Sequence, residues 1–220
     1  MTYQADLQTL TIAVEGQHLE LHPHRAVYWV DQETLIVSDL HLGKVHHFRR
    51  SGIFIPMHAA MDNYERLSGL LMKYEPRQLL ILGDLFHSTL NIDWKTFSEL
   101  RLTFHHIAFT LIKGNHDILD TKIITENQLT LHTELMLGPF RFCHYPDDGS
   151  ADHYTIAGHI HPGVRLVGHS KQSLKLPCFY FGVNQGLLPA FGAFTGIALI
   201  KPEPASQVVV ISEEQLAQVH

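Results

Sequence analysis

The chain has 220 residues, 45 % of them hydrophobic, enough to bury one sizeable core and too apolar for a disordered chain. Its formal net charge of −6 argues against a basic surface for non-specific nucleic-acid binding and leaves room for a local positive site. No apolar run reaches the ~20 residues that span a bilayer, Met1–Gln8 lacks the pattern of a signal peptide, and the two cysteines, Cys143 and Cys178, are too few for a disulfide framework or thiolate zinc site; a single cytoplasmic domain over residues 1–220 is expected.

Leu10 to His22 alternates around Glu15-Gly16 and predicts a β-hairpin. Thr34–Ser38 predicts a short, mostly apolar strand, followed by a loop containing Gly52 and Pro56. Met57, Met61, Tyr64, Leu67, Leu71 and Tyr74 recur at a spacing of three to four, which predicts an amphipathic helix ending before Pro76. Gln78–Leu82 predicts a buried strand, Trp94–His106 a helix and Ile107–Ile112 a further strand. This β–α–β–α–β order belongs to crossover units around a largely parallel sheet. After Asp120 short strands are predicted at Leu129–His132, Phe140–Cys143, Tyr154–Ala157, Val164–Val167, Leu176–Phe181 and Gly196–Ile200. They are expected to supply a second sheet.

Histidine is in excess, at 18 residues, and histidine is a common ligand of transition metals. Five predicted strands each lead into residues able to bind metal. Thr34–Ser38 precedes Asp39-Leu40-His41, Gln78–Leu82 precedes Gly83-Asp84, and Ile107–Ile112 precedes Gly114-Asn115-His116-Asp117. Phe140–Cys143 precedes His144, and Tyr154–Ala157 precedes Gly158-His159-Ile160-His161. Ligands in open α/β sheets bind beyond the carboxyl ends of strands, so these five ends can converge. Asp39, His41, Asp84, Asn115, His144, His159 and His161 offer oxygen and nitrogen donors without thiolate. That is too many for one tetrahedral ion and suits two ions sharing a carboxylate. In an extended segment residues i and i+2 share a face, so Asp39 and His41 are expected to reach one ion, and His159-x-His161 repeats the device. The glycines before Asp84, Asn115 and His159 are expected to let the chain turn out of each strand.

This order of motifs, over residues 39–161, resembles the signature of calcineurin-like metallophosphoesterases. The segments Ser38–Lys44, Phe48–Ile53, Ala157–Pro162, Leu176–Phe179 and Leu188–Gly196 resemble the bacterial ligase-associated DNA-damage-response endonuclease family, PdeM. The resemblance implies an α/β fold of two packed mixed β-sheets flanked by helices, in four layers α/β/β/α. It implies one metal on Asp39, His41, Asp84 and His161, and a second on the bridging Asp84 with Asn115, His144 and His159. Manganese is the expected metal, with iron or zinc as alternatives. Two divalent cations outweigh two carboxylates, so the centre attracts a phosphoryl group despite the acidic chain.

His116 is expected to protonate the leaving group or stabilise the transition state, with Asp117 fixing its tautomer. His87 stands where the wider superfamily usually has Asp or Asn, and is read as supporting a ligand or contacting substrate rather than binding metal itself. Lys44, Arg49 and Arg50, with His46 and His47, form the densest basic stretch; it contacts flanking phosphates or is a solvated loop. Phe179-Tyr180-Phe181 and Phe191-x-x-Phe194 suit a sheet core or a homodimer contact better than base stacking, and both cysteines read as buried small hydrophobes. A manganese-dependent DNA endonuclease, acting beside a DNA ligase, a helicase and a second nuclease in repair, is the leading expectation. The alternative is a small-molecule phosphoesterase acting on nucleotides or phosphomonoesters; a non-catalytic scaffold with the same fold is the third reading.

Overall fold

The alternating N-terminal segment forms β1 (Leu10–Val14) and β2 (Gln17–His22), joined through Glu15 and Gly16. Both linking residues have positive φ, 48° and 73°, as a two-residue primed hairpin turn requires. The computed structural model describes residues 7–50, 52, 58–86, 92–117, 121–146, 152–168, 172–193 and 195–220.

The chain continues through β3 (Ala26–Trp29), a 3₁₀ turn at Val30–Gln32, β4 (Thr34–Ser38), α1 (Lys44–Arg50) and α2 (His58–Tyr74). Next come β5 (Gln78–Leu82), α3 (Ile92–Thr103), β6 (Ala108–Ile112), α4 (Thr121–Glu126) and β7 (Leu129–His132). These strands form one sheet in chain order, β1 to β7, antiparallel up to β4 and parallel from β4 to β7. The remaining strands are β8 (Glu134–Leu137), β9 (Phe140–Cys143), β10 (Tyr154–Ala157), β11 (Pro162–Val167), β12 (Ser173–Phe181) and β13 (Gln185–Leu187). They are completed by β14 (Ala198–Leu199), β15 (Gln207–Ser212) and β16 (Gln215–Gln218). The second sheet runs β14-β11-β12-β13-β10-β9-β8, with β15 on β12 and β16 on β15.

Period-two alternation decides which side of the first sheet each residue serves. Leu35, Val37, Leu79, Ile81, Phe109 and Leu111 face α2 and α3, against Leu67, Leu71, Phe97 and Leu100. Ile36, Leu80, Leu82 and Ile112 face the second sheet, against Phe140, Phe142, Ile156, Phe179 and Val209. Every residue of β4 is buried, as expected of a strand covered on both faces. The four described helices all lie between Lys44 and Glu126. On the outer face of the second sheet the described residues place a third apolar cluster, including Val164, Cys178, Tyr180 and Val210, and no helix.

Several expectations shift: β12 starts at Ser173 rather than Leu176, and α3 runs from Ile92 to Thr103 rather than from Trp94 to His106. Lys44–Arg50 is helix α1 rather than loop; its seven residues are too few for a periodicity to show. Leu129–His132 closes the first sheet as β7, because α4 makes a further crossover after β6. The Gly196–Ile200 strand shrinks to Ala198–Leu199. Phe179, Phe181 and Phe191 are fully buried core residues, which leaves them no face for a base; Phe194 lies outside the described residues.

Candidate metal centre

β4, β5 and β6 are parallel neighbours in one sheet, and β9 and β10 are parallel neighbours in the other. Their carboxyl ends deliver seven donors to one place. Ligand atoms of Asp39, His41 and His161 lie within 4.8 Å of one another, as do those of Asp84, His144 and His159. Each group draws on both sheets. The Asp84 carboxylate lies between them, Oδ2 3.8 Å from His41 Nε2 and Oδ1 3.5 Å from His144 Nε2. Asn115 Oδ1 lies 3.3 Å from His144 Nε2 and so joins the second group.

This donor set fits divalent cations. Asp39 and Asp84 are buried, which is costly for carboxylates without a compensating charge. Asp39 Oδ1 is buried without a hydrogen bond, although His161 Nε2 is 3.3 Å away; a shared cation would satisfy both atoms. Burial pushes the Asp39 carboxyl up, but His161, Ser38 and His144 outweigh it and hold it below the usual carboxylate range. Burial, then the neighbouring His144, keeps the His159 imidazole low, in the neutral form that binds metal.

The candidate ligands carry unusual backbone geometry. Asp39, His41, Asp84, His159 and His161 have φ of 51°, 47°, 49°, 65° and 52°, each costing roughly 1–2 kcal/mol in a non-glycine residue. Neither Asp39-x-His41 nor His159-x-His161 is therefore extended. Asp39 and His41 still share a group, whereas His159 and His161 fall into different ones. Hydrogen bonds pin these turns: His41 N–H donates to Asp84 O at 2.9 Å and His159 N–H to Asp39 Oδ2 at 2.9 Å. The preceding glycines act mainly by close approach. A Cβ on Gly158 would meet Ser38 Oγ, Asp39 Oδ2 and Leu82 O, and one on Gly114 would meet the Asp84 carboxylate. Only Gly83 of the three has positive φ, 78°.

Asp117 supports the centre through backbone donors. Its carboxylate accepts backbone N–H bonds from Asp84 (2.8 Å), Leu85 (2.9 Å) and Gly114 (2.8 Å), tying the β5 exit to the β6 exit. Burial and the Asp84 charge raise its pKa against the pull of those bonds. His116 is exposed; its backbone N–H donates to Asp84 Oδ1 at 3.1 Å, and its ring centroid lies 5.7 Å from that of His41. Lys44 is half-buried; burial lowers its pKa while the charges of Asp84 and Asp39 oppose the shift, so its ammonium feels both carboxylates. Arg49 is exposed on α1. His87 and the side chains of His46, His47 and Arg50 lie outside the described residues.

Sequence reasoning missed several supports. Ser38 Oγ donates to Asp39 Oδ2. Tyr145, 48 % exposed, sets its ring 4.4 Å from that of His159 at the rim. Phe191 N–H and Gly192 N–H donate to Ser38 O and Asp39 O, so residues 188–193 back the Asp39 turn. Arg25, Asn63 and Arg66 bind that segment through Ala190 O, Ala193 N–H and Phe191 O. The adjacency of Ser38 and Tyr145 to expected ligands was the one signal available; the Arg25–Asn63–Arg66 clamp has none in sequence.

A two-sheet α/β sandwich with paired carboxylate–imidazole clusters at its strand ends defines a metal-dependent hydrolase. The calcineurin-like phosphoesterase model matches residues 33–182, and the chain belongs to that family: it is a hydrolase of phosphoric esters that uses divalent metal ions. Its structure is similar to the crystal structure of Pseudomonas putida nuclease MPE, at a TM-score of 0.79 and 28 % identity over 96 % of this chain and 100 % of that one. No protein of curated function matches the chain. No described helix is long and apolar enough to cross a membrane.

Proposed function

We propose that the chain is a manganese-dependent phosphodiesterase that cuts DNA internally, in a repair setting shared with a DNA ligase, a helicase and a second nuclease. The observation that carries the reading is the Asp84 carboxylate, facing both donor groups between the two sheets. The likeness to nuclease MPE supports a polynucleotide substrate.

Asp39, His41, Asp84 and His161 would hold one ion, and Asp84, Asn115, His144 and His159 the other. When bound, the ions supply charge that polarises phosphoryl oxygens and acidifies water. Ser38, Asp117 and the 188–193 segment fix the ligand turns, so little reorganisation is needed on substrate binding. Lys44, at the start of α1 and close to both carboxylates, binds a non-bridging phosphoryl oxygen once those carboxylates are neutralised. His116, exposed at the mouth, gives its ring proton to the departing oxygen. Tyr145 borders the same mouth and presents a flat face to the leaving nucleoside.

Supercoiled plasmid incubated with protein and Mn²⁺ tests this directly. Nicked circles, with little hydrolysis across a panel of nucleotides and phosphomonoesters, are expected. The reverse pattern would replace the endonuclease with the small-molecule phosphoesterase.

A further inference from the structure

β11 begins immediately after His161, and among the described residues Val164–Val167 pair only with Ser173–Leu176 of β12. These eight positions form a two-stranded arm. β10 is parallel to β13, and β13 is antiparallel to β12, so the arm extends past the carboxyl end of β10, the end that carries the metal centre. Its two faces differ. Val164 and Leu176 pack with the outer cluster of the second sheet, whereas Phe179 and Phe181 face the first sheet. By that alternation Arg165 and Lys175 stand on the side turned toward the first sheet and the mouth of the centre.

Arg165 and Lys175 are direct partners in the antiparallel register. Both are exposed, and neither side chain has an ion pair or hydrogen bond among the described residues. Like charges directly opposite one another destabilise a strand pair, and an isolated two-stranded arm has little stability to spare. A bound anion would reverse the sign of that term. Pro162 follows His161 directly, and Arg165 lies three residues further along the strand, about 10 Å. It is too far away to hold a phosphoryl group at the centre and well placed for the phosphates beside it on a continuous strand.

We propose that Arg165 and Lys175 form a clamp on the sugar–phosphate backbone of a polynucleotide whose scissile phosphate sits at the metal centre. The proposal rests on the nuclease reading above and adds the element that separates a polymer from a mononucleotide, which is too short to span both positions.

The test is fluorescence anisotropy of a short fluorescein-labelled phosphorothioate oligothymidylate, titrated with Mn²⁺-loaded protein over a range of potassium chloride. Removal of two phosphate contacts, in R165A/K175A, should weaken binding about tenfold and lower the slope of log affinity on log salt by about 1.4. The charge-conserving R165K/K175R should bind like the parent. Equal affinity and slope for parent and R165A/K175A would overturn the clamp while leaving the nuclease intact. Parent protein that hydrolyses phosphate esters but does not bind the oligonucleotide would overturn both.

Discussion

Asp117 holds Asp84 by its backbone: Oδ2 accepts the Asp84 N–H at 2.8 Å while also accepting that of Gly114, and Oδ1 accepts that of Leu85. One buried carboxylate thus sets the position of the residue that faces both donor groups. D117A leaves three buried donors without an acceptor, at about 1–3 kcal/mol each. D117N keeps an oxygen for the Asp84 and Gly114 N–H groups but turns its amide nitrogen toward that of Leu85, a donor facing a donor. Urea unfolding should show both variants less stable, D117A by several kcal/mol, and calorimetry should show weaker Mn²⁺ binding. Parent-like stability in D117A would refute the positioning role.

A methyl group tests how tightly the two sheets close on the centre. In G158A the added Cβ would stand 2.6 Å from Asp39 Oδ2 and 2.9 Å from the backbone oxygen of Leu82, which cannot rotate away. The Asp39 turn must shift, and metal affinity should fall at least tenfold by calorimetry. G196A, which meets nothing within 4 Å, serves as the neutral comparison. Equal affinities in the two variants would show that the approach at Gly158 is not limiting.

The parallel core was legible because its strands are short apolar runs with turn residues after them: β4, β5, β7, β9 and β10 match their expected bounds. The donors were legible for the same reason, since each stands just past a strand end. Strand pairing across long separations was not. β7 reads like its successors in sequence, and only the α4 crossover assigns it to the first sheet. The roles of Asp117 and residues 188–193 depend on backbone atoms contributed by distant loops, and main-chain donors leave no trace in residue type. The αL geometry of the five candidate ligands was likewise hidden, because the Asp-x-His and His-x-His spacings suit an extended segment equally well.

Stability should carry a histidine signature away from the centre. Burial, and then the Arg66 charge and more weakly Lys73, hold His24 below its ordinary 6.5, against the opposing charges of Glu214 and Asp62. An unfolded chain then takes up a proton where the folded one does not, so stability falls as pH drops below 6.5 and goes on falling until the folded imidazole is itself protonated. Above that range the term vanishes. The urea midpoint of H24Q should therefore lose less than the parent's on passing from neutral to mildly acidic pH. Parallel pH profiles for the two proteins would remove His24 from the account.

The side chain of His116 and its backbone have separable tasks. The N–H contacts Asp84 Oδ1 and is kept in H116A, whereas the exposed ring belongs to neither group of candidate ligands. H116A should therefore bind Mn²⁺ with parent affinity. Its turnover should depend on how badly the leaving oxygen needs a proton. For a DNA diester the departing alkoxide is strongly basic, and loss of a positioned acid should cost about 10²–10⁴ in rate. For bis-p-nitrophenyl phosphate the nitrophenolate leaves unaided, and the loss should be far smaller. Metal content, plasmid nicking and nitrophenolate release, measured on one preparation, read the three quantities together. Equal losses on both substrates would make His116 a stabiliser of the phosphoryl group rather than the acid, and unchanged nicking would remove it from the reaction.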